Sequence, residues 1–344
     1  MAFFWGWIVH RGLGRIAVSL AGMLLAVALW PGTSFGSNDS AFDKQWALPT
    51  IGAPQAWTKT TGAGVRIGLV DTGVDLGHED LAGRVVESTS CVNSHGDPNL
   101  CVGSAQDDFG HGTHVAGIMA ADKDNGVGVA GVAPDAQLVV AKAFQGATAD
   151  AQDVIAGIKW VVDHGAKVVN LSLGDAVFVV AATFGSRLVE GVDYAWSHGA
   201  IPVVASGNDN LFGLGVGSKE YSDLNALVVG ATGKDDLQAG YSSPTGNAKW
   251  ALLAPGGSGD GDEANDIYST FWRKDKTNQY AYLSGTSMAA PYVTGAVALL
   301  LAQGYTQQGT VDRILATVDQ HVSCGPDSPT CKGRLDVAGA VGAR

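Results

Sequence analysis

The hydrophobic positions along this chain follow two periods in turn. Short apolar segments rich in β-branched residues are typical of strands buried on both faces. They occur at residues 65–70, 137–144, 167–173, 201–205 and 226–231. Longer segments with helical spacing lie between several of them. This alternation predicts an α/β fold with a mainly parallel central sheet and helices on both faces.

The segment 151–164 shows the helical period most clearly. Its apolar residues recur three and four positions apart and would form one face of a helix, namely Val154, Ile155, Ile158, Val161 and Val162. A second helix is expected over 187–198. The Gly- and Asp-rich segment 256–266 is expected to be a surface loop.

Two further helices are expected to begin at polar residues. Small and apolar residues from Gly112 onward predict a buried helix with His111 at its mouth. Residues 284–291, SGTSMAAP, lead into the apolar run 292–301, which predicts a junction between a loop and a helix. There, Ser287 would meet free N–H groups and the positive end of the helix dipole, an arrangement that suits a nucleophile. Pro291 is expected inside the first helical turn, where its missing N–H costs nothing.

Composition and net charge limit the classes of function that this protein can have. The 344 residues suit one large domain or two ordinary ones, and 46% apolar content with 48 glycines suits a globular α/β protein. The formal charge is −12, from 21 basic and 33 acidic residues. Sequence-independent nucleic-acid binding relies on clustered Lys and Arg, so we expect no nucleic-acid partner. We expect a monomer.

The N-terminal segment has the composition of a secretory signal. Arg11 and Arg15 precede an almost wholly apolar run, 16–30, which is followed by Pro31 and small residues up to Gly36. The run is shorter than the roughly 20 residues of a membrane span. We therefore expect residues 1–36 to be a signal peptide, with only transient membrane contact, and 37–344 to be an exported domain. An uncleaved membrane anchor is the alternative.

Four cysteines fit an exported protein, because an oxidising compartment favours disulfides. Cys91 and Cys101 bracket one turn-rich loop, and Cys324 and Cys331 bracket another. Three pairings are open, and the local one closes two short loops at little entropic cost. A zinc site is the alternative, but the spacing contains no C-x-x-C pair.

Two polar groups upstream of Ser287 are candidates for catalysis. Asp71 ends an apolar strand, at the rim where open α/β sheets bind ligands; taken alone, it could equally cap a turn. His111 and His114 are three residues apart, so a metal pair is conceivable, but no Glu stands between them as in H-E-x-x-H. The better interpretation gives His111 a catalytic role and leaves His114 as a hydrogen-bonded packing residue.

Together these residues carry a family resemblance. The blocks Asp71-Thr72-Gly73, 111–117 (HGTHVAG) and 285–291 (GTSMAAP) resemble the three signature blocks of the subtilisin family of serine endopeptidases. They also occur in that family's order, Asp, His, Ser. The resemblance covers residues 45–303. It implies a subtilisin-like three-layer α/β fold, protein or peptide substrates and no cofactor for catalysis.

The resemblance also implies residue roles. Ser287 would attack the scissile carbonyl, His111 would take its proton, and Asp71 would orient the imidazole. Asn208 matches the asparagine of the family's oxyanion hole. A strand over Ser172, Leu173 and Gly174 would pair with the substrate backbone. The opposite wall of the first specificity pocket would be formed by small residues, Ala205, Ser206 and Gly207, leaving room for a large apolar side chain.

A structural calcium ion is a further implication. Asp39, Asp80 and Asn125 match positions that bind calcium in several family members, and oxygen ligands from distant segments suit this hard cation. Ordinary turn residues are the alternative. Family members also usually carry a long inhibitory pro-segment, but here only a few residues separate Gly36 from Gln45. Folding is therefore expected to be autonomous, assisted by another protein, or inefficient.

Three other functions remain open at this stage. A pseudoprotease or binding module would keep the fold but lose catalytic groups. A signal-anchored structural protein would rest on the N-terminal apolar run alone. A serine esterase would use the same acyl chemistry, but it would not need a strand that pairs with a peptide backbone.

Overall fold

The structure is a computed structural model that describes residues 36–173, 184–208, 221 and 224–344. The predicted signal segment, apart from Gly36, and the predicted substrate-binding Gly174 lie outside the described residues. The strands are β1 (Arg66–Asp71), β2 (Val85–Ser90), β3 (Gln137–Lys142), β4 (Val168–Leu171), β5 (Ile201–Ala205), β6 (Leu227–Thr232), β7 (Trp250–Pro255), β8 (Ile267–Phe271), β9 (Gln279–Leu283) and β10 (Cys331–Arg334).

Eight of these strands form one parallel sheet in the order β10-β7-β6-β5-β4-β1-β3-β2. The chain leaves β1 towards β2 and β3 on one side and then returns to β4 on the other. The order therefore reverses at β1, and Asp71 ends that strand. In open α/β sheets this point is where ligands bind. The remaining two strands, β8 and β9, form an antiparallel hairpin.

Helices cover both faces of the sheet, as the sequence predicted. They are α1 (Ala47–Thr50), α2 (Ala53–Ala56), α3 (His111–Ala120), α4 (Ala151–Asp163), α5 (Phe184–Ser197), α6 (Thr286–Ala302), α7 (Gln307–Ala316) and α8 (Val337–Val341). Alternate strand residues enter different cores: Leu69 packs with α6 on one face, and Val70 packs with α4 on the other. This period of two in fully buried strands produces the three layers.

Helix α6 is the centre of one core. Residues 286–300 are all buried, and the helix packs across β4, β5, β6 and β7. A helix that is apolar on every side belongs in the interior. Ser287 is the second residue of this helix, so the packing of the helix fixes its position near the carboxyl ends of the strands.

The structure contains several helices and strands that the sequence analysis did not predict. The arm before Trp57 forms the short helices α1 and α2, and the segment before Ser287 forms the β8–β9 hairpin. The predicted disulfides are both present, Cys91–Cys101 and Cys324–Cys331, in the local pairing. Among the described residues, no helix has the length and apolar character needed to cross a bilayer.

Candidate active site

The ends of three neighbouring strands bring the predicted site residues to one edge of the sheet. Asp71 ends β1, Ser172 and Leu173 follow β4, and Ala205 ends β5 just before Asn208. Strand β4 lies in the middle of the sheet. Ser172 and Leu173 run past its last paired residue, so the predicted substrate strand is an extension of a central strand.

The geometry pairs His111 with Asp71. His111 Nδ1 donates to Asp71 Oδ1 at 2.7 Å, and the Thr72 N–H donates to the same oxygen at 2.7 Å. The Asp71 side chain is only 1% exposed. A proton fixed on Nδ1 leaves Nε2 as the basic nitrogen, and that atom is buried without a hydrogen-bond partner among the described residues. The imidazole is therefore arranged to accept a proton.

Asp107 fixes the start of α3 and so places His111. Its carboxylate accepts hydrogen bonds from the N–H groups of Gly110 at 2.9 Å and Thr113 at 3.0 Å, and from Thr72 Oγ1 at 2.8 Å. Thr72 Oγ1 in turn accepts from the Gly112 N–H at 2.9 Å. This network ties the end of β1 to the start of α3. Sequence reasoning missed Asp107, although a carboxylate shortly before a helix start is a recognisable capping signal.

The electrostatics of the site favour the protonated imidazole. Burial opposes the charge, but attraction and hydrogen bonding by Asp71, with a contribution from Asp107, outweigh it and raise the pKa of His111 above its ordinary value. The imidazolium formed during proton transfer is therefore stabilised where it would arise.

Ser287 stands at the N-terminus of α6 in reciprocal contact with Ser172. Its Oγ donates to the Ser172 carbonyl at 3.1 Å, and Ser172 Oγ donates to the Ser287 carbonyl at 2.7 Å.

Pro291 explains why the Ser287 carbonyl can accept from Ser172. The prediction that Pro291 lies in the first turn of the helix was wrong. Pro291 is the sixth residue of α6, beyond its first turn. Because it lacks an N–H, it leaves the carbonyl four residues earlier, that of Ser287, for Ser172.

Asn208 is held so that its amide nitrogen faces the nucleophile loop. Its Oδ1 accepts from the Thr286 N–H at 2.9 Å and from Thr286 Oγ1 at 3.0 Å. Its Nδ2 lies over Gly285, only 3.4 Å from where a Cβ would be. Since the oxygen accepts two hydrogen bonds, the N–H₂ group is the part of the side chain that could donate to a ligand near Ser287.

Ser206 and Leu173 were predicted to line the substrate site. Ser206 is buried, its hydroxyl donates to the Ser243 carbonyl at 2.9 Å, and Tyr221 OH donates to the Ser206 carbonyl at 3.0 Å. The Ser206 side chain therefore points into the core. Beside His111, Leu173 and Phe144 line a cavity of about 10 Å³, room for one water. Sequence reasoning missed Phe144.

His114 has the packing role that the sequence indicated. It is fully buried, and its Nε2 contacts the carbonyls of Ile267 and Ala281, each at 3.1 Å. Burial lowers its pKa to about 3. A neutral His114 thus joins α3 to both strands of the hairpin.

A second group of polar residues comes together away from Asp71, His111 and Ser287. It consists of Asp39, Asp80 and Asn125, and we call it the Asp39–Asp80 cluster. Asp39 Oδ1 accepts from the N–H groups of Asn125 at 3.0 Å and Gly126 at 3.2 Å. Asp80 accepts from Asn125 Nδ2 at 2.8 Å and from the Val129 N–H at 2.7 Å. Burial, with repulsion from Asp39, raises the pKa of Asp80 to about 6.

The donor set of this cluster suits a hard cation in type, because it offers two buried carboxylates and an amide. Neither carboxylate forms an ion pair with another described residue. The Asn125 amide presents its nitrogen to Asp80, so a bound cation would require it to turn. Within the described part of the chain, no group of three or more His, Cys, Asp or Glu is placed to hold a metal.

Comparisons with known proteins agree with this geometry. Residues 62–323 match the model of the subtilase family. Thermitase from Thermoactinomyces vulgaris is 36% identical over 308 residues, covering 88% of this chain and 98% of that protein. Subtilisin DY from Bacillus licheniformis is 35% identical over 264 residues, covering 75% and 84%.

A solved structure extends the match to three dimensions. A protease from Pseudoalteromonas arctica superposes with a TM-score of 0.73 at 27% identity, over 89% of this chain and 99% of that one. Such proteases act on proteins or peptides and need no catalytic cofactor. Sequence family, sheet topology and site geometry agree, and the chain therefore belongs to the subtilase family of serine endopeptidases.

Proposed function

We propose that this protein hydrolyses peptide bonds through an acyl-enzyme formed on Ser287. The observation that carries the proposal is the buried 2.7 Å bond from His111 Nδ1 to Asp71, which leaves Nε2 as a base with no hydrogen-bond partner among the described residues. In the first step, Ser287 Oγ bonds to the scissile carbonyl carbon while its proton passes to His111 Nε2.

His111 then donates that proton to the leaving amine, and the C–N bond breaks. Water repeats the sequence on the acyl-enzyme and regenerates Ser287. The Asn208 side-chain amide and the Ser287 N–H would stabilise the oxyanion of each tetrahedral intermediate. Asp71 keeps the imidazole in the required tautomer and stabilises its charged form.

The substrate would lie along the extension of β4. Ser172 and Leu173, with Gly174, would pair with the peptide backbone, while Ala205 and Gly207 would form the other wall. Ser206 would contribute through its backbone, since its side chain is buried. The binding of a peptide strand distinguishes an endopeptidase from an esterase.

We further propose that the protein is exported and that the Asp39–Asp80 cluster binds calcium. Two disulfides support the first proposal, because they persist in oxidising compartments. Removal of residues 1–36 would be tested by N-terminal sequencing of the protein recovered from the medium. For the second, Asp39, Asp80 and Asn125 would supply oxygen ligands that stabilise the fold.

The experiment for the catalytic proposal is casein hydrolysis by the purified protein beside its Ser287→Ala variant. A fluorophosphonate probe would label the parent and not the variant. Activity and labelling that both disappear with Ser287 would support the mechanism. A folded parent that neither cleaves casein nor takes the probe would contradict it.

A further inference from the structure

The β8–β9 hairpin carries a cationic tip next to the catalytic histidine. Arg273, Lys274 and Lys276 are exposed there with one acid, Asp275, giving the tip a formal charge of +2 (three cations minus one anion). The whole chain, by contrast, carries −12. No ion pair among the described residues involves these three cations.

The tip begins directly against the residue before His111. A Cβ on Gly110 would lie 2.5 Å from Phe271 Cζ and 2.7 Å from the Trp272 carbonyl oxygen, so only glycine permits this contact. The Arg273 guanidinium lies 5.6 Å from the centre of the Phe271 ring. The contact therefore fixes the start of the tip relative to the active site.

Hydrogen bonds hold the hairpin on α3 and at the end that carries the tip. Thr270 Oγ1 donates to the Thr113 carbonyl at 2.7 Å. Asn278, the residue before β9, exchanges two hydrogen bonds with Glu79, at 3.0 and 2.9 Å. Glu79 is exposed and lies beside the tip, where its carboxylate accepts from Asn278 Nδ2. Lys274 and Lys276, which form no ion pair with another described residue, are the cations of the tip that remain available to a ligand.

The direction of the substrate decides what the tip meets. Ser172 and Leu173 place the acyl part of the peptide, on the side of His111 where Phe144 closes a small cavity. His111 later protonates the leaving amine, so the leaving peptide emerges beside the imidazole. None of the residues that line that cavity belongs to the hairpin, which contacts Gly110 instead, so the tip is assigned to the side of the leaving part.

We propose that this tip binds acidic side chains of the substrate that lie after the scissile bond. The inference rests on the proposed function and adds a preference for proteins with acidic segments at that position. The cations of the exposed tip would attract carboxylates of the substrate, and this attraction weakens as the salt concentration rises.

The test compares two quenched fluorescent peptides with one acyl half, taken from a mapped casein cleavage, and with Glu-Glu or Gln-Gln in the leaving half. Exposed charge pairs are weak, so we expect the acidic peptide to have about fivefold higher kcat/KM. Lys274→Gln with Lys276→Gln should reduce that ratio below about twofold, as should 1 M salt, which screens exposed charges. Lys59→Gln with Lys332→Gln, at exposed lysines elsewhere, is the matched control and should keep the ratio.

A peptide p-nitroanilide with the same acyl half has no leaving peptide and serves as the reference substrate. A fall in kcat/KM of the tip variant that is confined to the fluorescent peptides would support binding of the leaving part by the tip. Equal kcat/KM for both peptides in the parent, or a preference that survives in the tip variant, would overturn the proposal. Hydrolysis of neither casein nor any peptide would overturn the catalytic assignment itself, and the tip's role with it.

Discussion

Two of the regions in which this molecule buries carboxylates balance the charge in different ways. At the carboxyl ends of the strands, Asp71 is bonded to His111, which can become a cation. In the Asp39–Asp80 cluster, the two carboxylates accept hydrogen bonds from backbone N–H groups and from one amide, and the pKa of Asp80 is raised. Asp71 therefore has a partner that can balance its charge during the reaction. Among the described residues, neither carboxylate of the cluster forms an ion pair, which is why we propose a cation from solution there.

This comparison separates rate from stability. A change near Asp71 should alter the barrier of the reaction and leave folding nearly intact. A change in the Asp39–Asp80 cluster should alter the free energy of unfolding and leave the chemical step nearly intact.

Ser287→Ala should change the activity most. We expect kcat to fall by about 10⁶-fold, the order of magnitude known for removal of the triad serine in subtilisin itself. The melting temperature should change little, because within the described part of the chain the hydroxyl makes one hydrogen bond, to the Ser172 carbonyl. Hydrolysis rates and calorimetry of the same sample measure both. Residual activity above about 1% of the parent would contradict the role of Ser287, since a lost nucleophile costs far more.

The second effect concerns the oxyanion. Asn208→Ala should lower kcat by about 10²–10³-fold with little change in KM, as for the corresponding amide in subtilisin. Asn99→Ala, at an exposed residue, is the control. An equal rise in KM with kcat preserved would mean that Asn208 binds the substrate and not the transition state.

The third effect is the stability that calcium adds at the Asp39–Asp80 cluster. It is measured in the inactive Ser287→Ala protein, which cannot digest itself. Calcium at about 100 times its dissociation constant should add about 2.7 kcal/mol to the free energy of unfolding and raise the melting temperature by about 5 °C. Asp80→Asn should abolish this rise. A melting temperature unaffected by chelator and by added calcium would exclude the site.

The last effect is a pH dependence of stability. Burial lowers the pKa of His114 to about 3 in the folded state, so below about pH 6.5 the unfolded chain binds a proton that the folded chain cannot. His114 should therefore make stability fall as pH drops from 6.5 to 3, by about 1.4 kcal/mol per pH unit.

Urea unfolding of the Ser287→Ala protein with and without His114→Gln measures this slope. The comparison of the two proteins at each pH is needed, because the raised pKa of Asp80 acts in the opposite direction between pH 3.8 and 6. Identical slopes for the two proteins would show that His114 is protonated in the folded state.

The fold class and the family could be predicted from the sequence, which also favoured the local disulfide pairing that the structure shows. Parallel strands buried on both faces appear as continuous apolar runs, so β1, β3, β4, β5 and β6 could be predicted. The three sequence blocks are local, and each stands at the end of a strand or the start of a helix. A local pattern of this kind is visible without knowledge of the fold.

How those blocks contact one another depends on the folded chain. The link from Asp107 through Thr72 to α3 and the hairpin beside Gly110 join residues that are distant in sequence. So does the bond from Ser172 Oγ to the Ser287 carbonyl that Pro291 leaves free. Hydrogen-bond partners of this kind depend on packing, and packing is a property of the whole chain. The sequence therefore specifies the reacting groups, and the folded sheet specifies what holds each of them in place.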